Sequence, residues 1–237
     1  MAYDEINNCI RFYNGTEWSV CVDGAGPVTI TGDLTTTVVD VEAPVGSGLI
    51  WMDRNLGATQ VATSSSDAAS YGDLYQWGRG ADGHQLRTSS TTTTNATTAE
   101  PSQGYNSWDG KFIFAGPASD WLVTNDDNLW QGVSGTNNPC PAGYRLPTEA
   151  EMQTLQISFT PQTYEGAYAS PIKMPAGGRR QRDTGSIAKV ETHSYYWASG
   201  VSTTNENAVV LVCRPDDFCG VGASSRATGF SVRCLKD

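Results

Sequence analysis

Histidine is nearly absent: the 237 residues contain only two, His84 and His193. A tetrahedral zinc site needs about four Cys or His ligands, and neither histidine adjoins a cysteine cluster. Zinc is therefore not expected. Basic charge is also short, with 15 Lys and Arg against 25 Asp and Glu and a net charge of -10. That balance repels nucleic-acid phosphates and anionic lipid surfaces. No run approaches the ~20 apolar residues of a membrane span, so no membrane insertion is expected. The opening MAYDEINNC lacks a basic and then apolar signal region, which places any export signal upstream. No internal repeat is visible.

What the chain does contain is seven Trp, ten Tyr, 25 Gly and long Thr/Ser/Asn tracts. This describes a loop-rich domain whose aromatics anchor the core in place of long aliphatic helices. Six cysteines are present, at 9, 21, 140, 213, 219 and 234. An even count with few lysines fits an oxidising compartment, though six reduced buried thiols remain the alternative. Their spacing does not fix connectivity.

Residues 1–23 read as a small β-hairpin element, with Asn14-Gly15 between two β-rich runs and Cys9 and Cys21 placed to staple the arms. It resembles the end of a longer stalk or fibre. Residues 24–47 read as an extended linker with one or two short strands. The main domain, 48–237, opens on Leu49 to Gly57 as a buried strand ending in a turn. Two short helices are expected. One is Ser66 to Trp77, where the apolar spacing is amphipathic; the other is Thr148 to Leu155, where Thr148 and Glu151 form a capping box after Pro147. Thr88 to Gln103 reads as a long surface loop. The fold class is α+β, with short antiparallel strands and extensive irregular loops.

The segment Ala208 to Thr228, AVVLVCRPDDFCGVGASSRAT, shows neither clean strand alternation nor a helical stripe. It also lacks Lys, Glu, Gln, Met and Trp, the residues whose codons must end in a purine. Residues 1–207 hold 32 of these, so about three would be expected in the window.

Five ordered motifs carry a family resemblance. They are Trp51-Met52-Asp53-Arg54-Asn55-Leu56-Gly57-Ala58, Tyr71 to Arg79 (YGDLYQWGR), Cys140 to Glu151 (CPAGYRLPTEAE), Tyr196-Trp197-Ala198-Ser199, and Gly229-Phe230-Ser231-Val232-Arg233-Cys234. From about Gly48 to Asp237 the chain resembles the Fibrobacter succinogenes major paralogous domain family of Bacteroidetes surface proteins. The RLPTEAE helix and the GF-x-VR strand are also similar to the formylglycine-generating-enzyme branch of the C-type lectin fold. The resemblance implies that fold, a ligand face made of irregular loops, and a core disulfide between Cys140 and Cys234. Some members of the fold resemble the variable proteins of diversity-generating retroelements, in which template adenines are randomised. Randomised AAY codons become NNY codons, which encode every residue type from Ala208 to Thr228 and none of the five missing ones. That likeness implies a variable region at about 205–228. On it, Cys213 and Cys219 are accidents of diversification and not a structural pair.

Plainer readings stand beside these. Cys213 and Cys219 are open to a metal pair, a local disulfide or free thiols. Glu149 and Glu151, which would suit acid-base work as a carboxylate pair, sit in a first helical turn where the dipole and the cap account for them. Asp120, Asp126, Asp127 and Asn128 are oxygen ligands in a Trp-rich loop, so structural calcium is the one cofactor left open. No Glu-Pro-Asn triplet of the carbohydrate-binding lectins occurs, and Glu100-Pro101-Ser102 departs from it. Trp51, Trp77, Trp121 and Trp130 would suit sugar stacking, but core packing is the default for aromatics inside family motifs.

The sequence therefore points to a non-catalytic extracellular ligand-binding module of receptor or adhesin type, on a bacterial cell surface or a phage virion. Its expected target is a protein or glycan on another cell surface. The candidate contact residues are Val210, Val212, Arg214, Asp216, Asp217, Phe218, Cys219, Val221, Ser224 and Thr228, with Tyr195 and Asn205 at the rim. Arg214 and Phe218 are the expected energetic anchors. The alternatives are a fixed structural adhesin, or pilus- or tail-tip domain, and an oxidase of the formylglycine-generating type. The oxidase would need a reactive cysteine pair that the sequence does not present.

Overall fold

The computed structural model describes residues 2–4, 9–11, 38–102, 106–114, 119–202 and 207–237. The chain divides into two compact units, Met1–Ile30 and Thr31–Asp237. In the first, β1 (Ala2–Asp4) pairs antiparallel with β2 (Cys9–Arg11). Cys9–Arg11 thus pairs with the segment before it. The expected Asn14-Gly15 turn and Cys21 lie outside the described residues.

The second unit is mixed α+β, built from small sheets joined by irregular backbone. β3 (Asp40–Glu42) lies within the expected linker and pairs with β4 (Ile50–Met52). β5 (Tyr75–Gln76) follows, then β6 (Thr91–Thr92) and β7 (Phe112–Ile113), which pair in parallel. The Thr-rich tract is thereby tied down at Thr91–Thr92, and again at Ala96, which is buried and bridges to Leu122. β8 (Tyr144–Arg145) leads into α1 (Glu149–Ile157), and α2 (Tyr164–Ala169) comes next. β9 (Arg179–Arg180), β10 (Ile187–Ala188), β11 (Ser194–Val201), β12 (Asn207–Arg214), β13 (Phe218–Ser225), β14 (Gly229–Phe230) and β15 (Leu235–Lys236) complete the chain. The sheets run β3-β4-β15-β8, β10-β9-β14-β5 and β11-β12-β13.

The expected capping box closes α1. The Thr148 amide donates to Glu151 Oε2 at 2.7 Å, and the Glu151 amide donates to Thr148 Oγ1 at 3.3 Å. Arg145 adds two donors at 2.8 Å to the same carboxylate, so Glu151 is fully engaged as a structural group.

The helix expected over Ser66 to Trp77 does not form. Asp67 accepts from Thr63, Gln60 and the Ala69 amide, which caps a single 3-10 turn at Ala68–Ser70. Gly72, at φ +64, then reverses the chain in a conformation that favours glycine. The amphipathic look of the segment arises because Tyr71, Leu74, Tyr75 and Trp77 are core residues on backbone that is not a continuous helix. α2 was not anticipated, because six residues interrupted by Gly166 carry no periodic signal. A Cβ on Gly166 would sit 1.7 Å from the Pro161 carbonyl oxygen, so only glycine fits there.

Two apolar clusters cover opposite faces of the β11-β12-β13 sheet. Tyr196, Val209, Leu211 and Cys213 pack with Met152, Leu155 and Trp51, whereas Tyr195, Trp197, Ala208 and Val210 pack with Trp77, Trp130 and Phe230. Five buried indoles each donate to a main-chain carbonyl, as Trp77 does to Ala198 at 3.0 Å and Trp197 to Tyr75 at 2.8 Å. Trp51, Trp77, Trp121 and Trp130 are at most 1% exposed, so none of them reaches a sugar.

At the centre Arg233 is fully buried and donates to Asn55 Oδ1 at 2.7 and 3.0 Å, to Met52 O at 3.3 Å, and to Ile172 O. Burial pulls its pKa down to about 10. Cys140, on the approach to β8, is disulfide-bonded to Cys234, the pair that the resemblance implied.

Two stability predictions follow from this core. Asn55→Ala removes the acceptor that takes two guanidinium hydrogen bonds, and should lower the unfolding free energy by about 3 kcal/mol in a urea titration. A loss below about 1 kcal/mol would mean that the guanidinium finds other oxygens. Burial also pushes the Asp73 carboxyl up to about 6, with Arg87 pulling the other way. A folded pKa above the unfolded value means that the folded state holds the extra proton, so this group favours folding as pH falls through about 6 and disfavours it above. Asp73→Asn should raise the thermal midpoint at pH 7.5, and the gain should shrink towards pH 4. A gain independent of pH would show a well-solvated carboxylate.

Candidate functional site

The window that shows no alternation forms a hairpin of two eight-residue strands, β12 and β13, paired from Asn207↔Ser225 to Arg214↔Phe218. β12 has no polar alternation because both of its faces are buried. Its turn is Pro215-Asp216-Asp217, with proline pre-set for the first turn position and Asp217 at φ 54. A Pro-Asp-Asp between apolar runs is the sequence signal for that turn.

Three features brace the tip. Cys213 and Cys219, expected on the diversification likeness not to be a structural pair, are disulfide-bonded, because strand register makes them direct partners with Cα atoms 4.1 Å apart. The Arg214 guanidinium lies over the Phe218 ring, 4.2 Å from its centroid, and pairs with Asp216 at 3.2 Å. That ion pair is exposed and adds little, but the cation over the ring holds both side chains at the end of the hairpin. Phe218 is 43% exposed, an unusual state for a large aromatic.

Strand parity divides the rest of the hairpin. Cys219 and Val221 lean onto the core side with Leu211. Phe218, Gly220, Gly222 and Ser224 alternate onto the other side, where Gly222 has nothing within 4 Å of a would-be Cβ. Beside them Tyr195 is stacked between Phe230, 5.0 Å away at 6°, and His193, 5.8 Å away at 11°. Arg179 lies over the same ring at 5.5 Å. Burial holds His193 below its ordinary pKa, and Lys189, Arg179 and Arg214 push it the same way against Asp216. Lys189, Arg179 and Arg214 thus gather near His193, with Asp216 opposing them.

Next to the hairpin is an open cleft of about 800 Å³, lined on one side by Arg179, Gln181 and Arg182 and on the other by Asn207, Ser224 and Thr228.

The structure brings Val212, Arg214, Asp216, Asp217, Phe218, Cys219, Val221 and Ser224 together on one hairpin with at least partial exposure. It removes Val210 from the contact set, because this side chain is 2% exposed and packed among Trp77, Trp130 and Phe230. Tyr195 at 7% and Thr228 at 6% are also buried, the first as a stacked support and the second in the cleft lining. Asn205 lies outside the described residues.

Sequence reasoning missed the far wall of the cleft. The available signal was Gly178-Arg179-Arg180-Gln181-Arg182-Asp183, which gathers three of the 15 basic residues into four positions. Arg180 of that run is structural, with donors to Gly185 O, Ser89 O and Ser89 Oγ.

The acidic loop considered for calcium is organised around a protein cation. Buried Arg226 pairs with Asp120 at 3.6 Å and with Asp127, and Asp126 accepts from the Asn128 amide at 2.9 Å. His84 accepts from the Gln76 amide at 3.1 Å and contacts Asp82, which also pairs with Arg79. Among the described residues no three His, Cys, Asp or Glu side chains converge as a metal site, and no helix is long and apolar enough to cross a membrane. The chain matches no protein-family model, no curated protein and no solved structure.

The two sides of the hairpin should differ in what they carry. Leu211→Ala should cost about 2–5 kcal/mol as a core cavity, and Phe218→Ala about 1 kcal/mol or less, both read from denaturant midpoints. Equal losses would place Phe218 in the core and remove it from any contact surface.

Proposed function

We propose that the chain is a non-catalytic recognition module that binds a protein or glycan target outside the cell, through the outward side of the β12-β13 hairpin and the adjoining cleft. The observation that carries this reading is the division of labour within the hairpin. One strand is buried on both faces from Ala208 to Leu211 and tied to the core, while its distal end, the turn and the partner strand leave Arg214, Phe218 and the Asp pair at least partly exposed. A backbone fixed in this way can change exposed side chains without refolding, as a paratope does. Arg214 and Phe218 are residue types that dominate binding energy when a partner desolvates them. Two disulfides in the described residues suit an oxidising, extracellular setting.

On this proposal the scaffold is C-type-lectin-like and the hairpin is the product of a diversity-generating retroelement. The absence of Lys, Glu, Gln, Met and Trp from the window and its coincidence with one partly exposed hairpin support that origin. The buried positions refine it: variation that preserves folding must skip Val209, Val210 and Leu211 and fall on the turn and on alternate residues of β13. Sequencing the gene across its natural population should find codons 216, 217, 218, 220, 222 and 224 variable, with codons 209 to 211 and 140 to 190 nearly constant. Invariance throughout the hairpin would replace this reading with a fixed structural adhesin or tail-tip domain.

A further inference from the structure

The cleft beside the hairpin has a chemistry of its own. Its volume, about 800 Å³, falls within the range of small-molecule sites, roughly 300–1,000 Å³. Its lining is mainly hydroxyl, amide and guanidinium, including Gln181, Asn207, Ser224 and Thr228, with the Asp183 carboxylate and no aromatic side chain among the described residues. A protein partner gains most from aromatic anchors in apolar pockets, and this cleft offers none. A polyhydroxylated ligand suits it better, because each sugar hydroxyl both donates and accepts.

Charge narrows the class further. Arg179 makes no hydrogen bond or ion pair through its side chain among the described residues; its contact is the Tyr195 ring at 5.5 Å. Other arginines of the domain are committed, as Arg145 is to Glu151, Arg226 to Asp120 and Asp127, and Arg233 to Asn55. Arg182 lies on the same wall, with Ser119 Oγ at 3.5 Å. A guanidinium without an anionic partner, lining a cleft in a chain of net charge -10, is a fork suited to an incoming carboxylate. Asp183 also lines the cleft and offers an acceptor for ring hydroxyls.

We infer that the cleft binds a carboxylate-bearing sugar, with Arg179 facing the carboxylate and the Asn207, Ser224 and Thr228 wall facing the ring hydroxyls. The inference rests on the recognition role proposed above and deepens it. Arg179, Gln181 and Arg182 lie outside the 205–228 region, whereas the opposing wall lies within it. One wall supplies a constant handle for acidic glycans, and the other sets which glycan fits.

The test titrates the full chain with sodium glucuronate, N-acetylneuraminate, glucose and sodium acetate, following amide chemical shifts. Both acidic sugars, or either one, should bind with shifts at the cleft and at least tenfold more tightly than glucose or acetate. Glucuronate alone would point to uronic-acid polymers, and N-acetylneuraminate alone to sialylated glycans. Arg179→Gln should weaken the acidic sugar at least tenfold. Ser224→Asp, at a half-exposed strand position, should do the same without touching Arg179 or Tyr195. Ile157→Ala, exposed on α1 and outside the cleft lining, should leave this affinity unchanged, which ties the effect to the cleft. Absence of binding, equal binding of glucose or acetate, or indifference to both cleft variants would overturn the inference. Those outcomes leave the hairpin proposal standing, since codon variation decides it independently.

Discussion

A buried cation without a hydrogen-bonded carboxylate partner organises this domain. Arg233 spends its donors on Asn55, Met52 and Ile172, and so joins its own segment to 52–55 and to 172, three segments far apart in sequence. Taking a guanidinium out of water costs several kcal/mol unless every donor is met, so the three segments must be in place together. The same few residues hold the C-terminus on both sides of that charge. Cys234 is bonded to Cys140, and Leu235 pairs with both Trp51 and Arg145 inside a sheet. The end of the chain is thus a central strand, and the hairpin just before it inherits a fixed base.

The second constraint is the large amount of irregular backbone. Buried loops must satisfy their carbonyls, and here tryptophan does so while filling volume. Trp121 donates to Trp77 O at 2.7 Å, and Trp130 to Asn137 O at 2.9 Å, so each ring both packs and ties a loop. Gln76 does the same in the polar register, donating to Ile113 O and Ala227 O at 2.8 Å. A core of this kind needs few helices. It also gives the open β12-β13 side a stiff backing that long flexible loops would lack.

Local signals were legible in the sequence where local chemistry decides the structure. The Thr148 to Glu151 box and the start of α1 are of this type, since one cap and one turn settle them. Ser66 to Trp77 failed because its apolar spacing reports burial, and burial along a 3-10 turn, a short strand and a further turn produced the same spacing as a helix face. The β12-β13 hairpin was hidden for the opposite reason: a strand covered on both sides has no polar face to alternate. Position along the strand then decides what parity cannot: Val210 and Val212 share a face, but Val210 is buried mid-strand and Val212, nearer the turn, sits at the margin. The cleft was illegible because its walls come from the Arg179 segment and the hairpin, with Ser119 from a third region. Only the local density of arginine at 179–182 hinted at it.

Gly222 has free space around a would-be Cβ, and Gly220 meets only the movable end of the Phe218 ring. Along this row, side-chain volume is uncoupled from folding free energy: a larger residue adds surface without displacing core. At Gly222 no neighbour has to move, and at Gly220 only the end of the Phe218 ring does, so this row can explore many chemistries at nearly constant stability. The domain therefore has a local reserve of mutational robustness, set by two missing side chains.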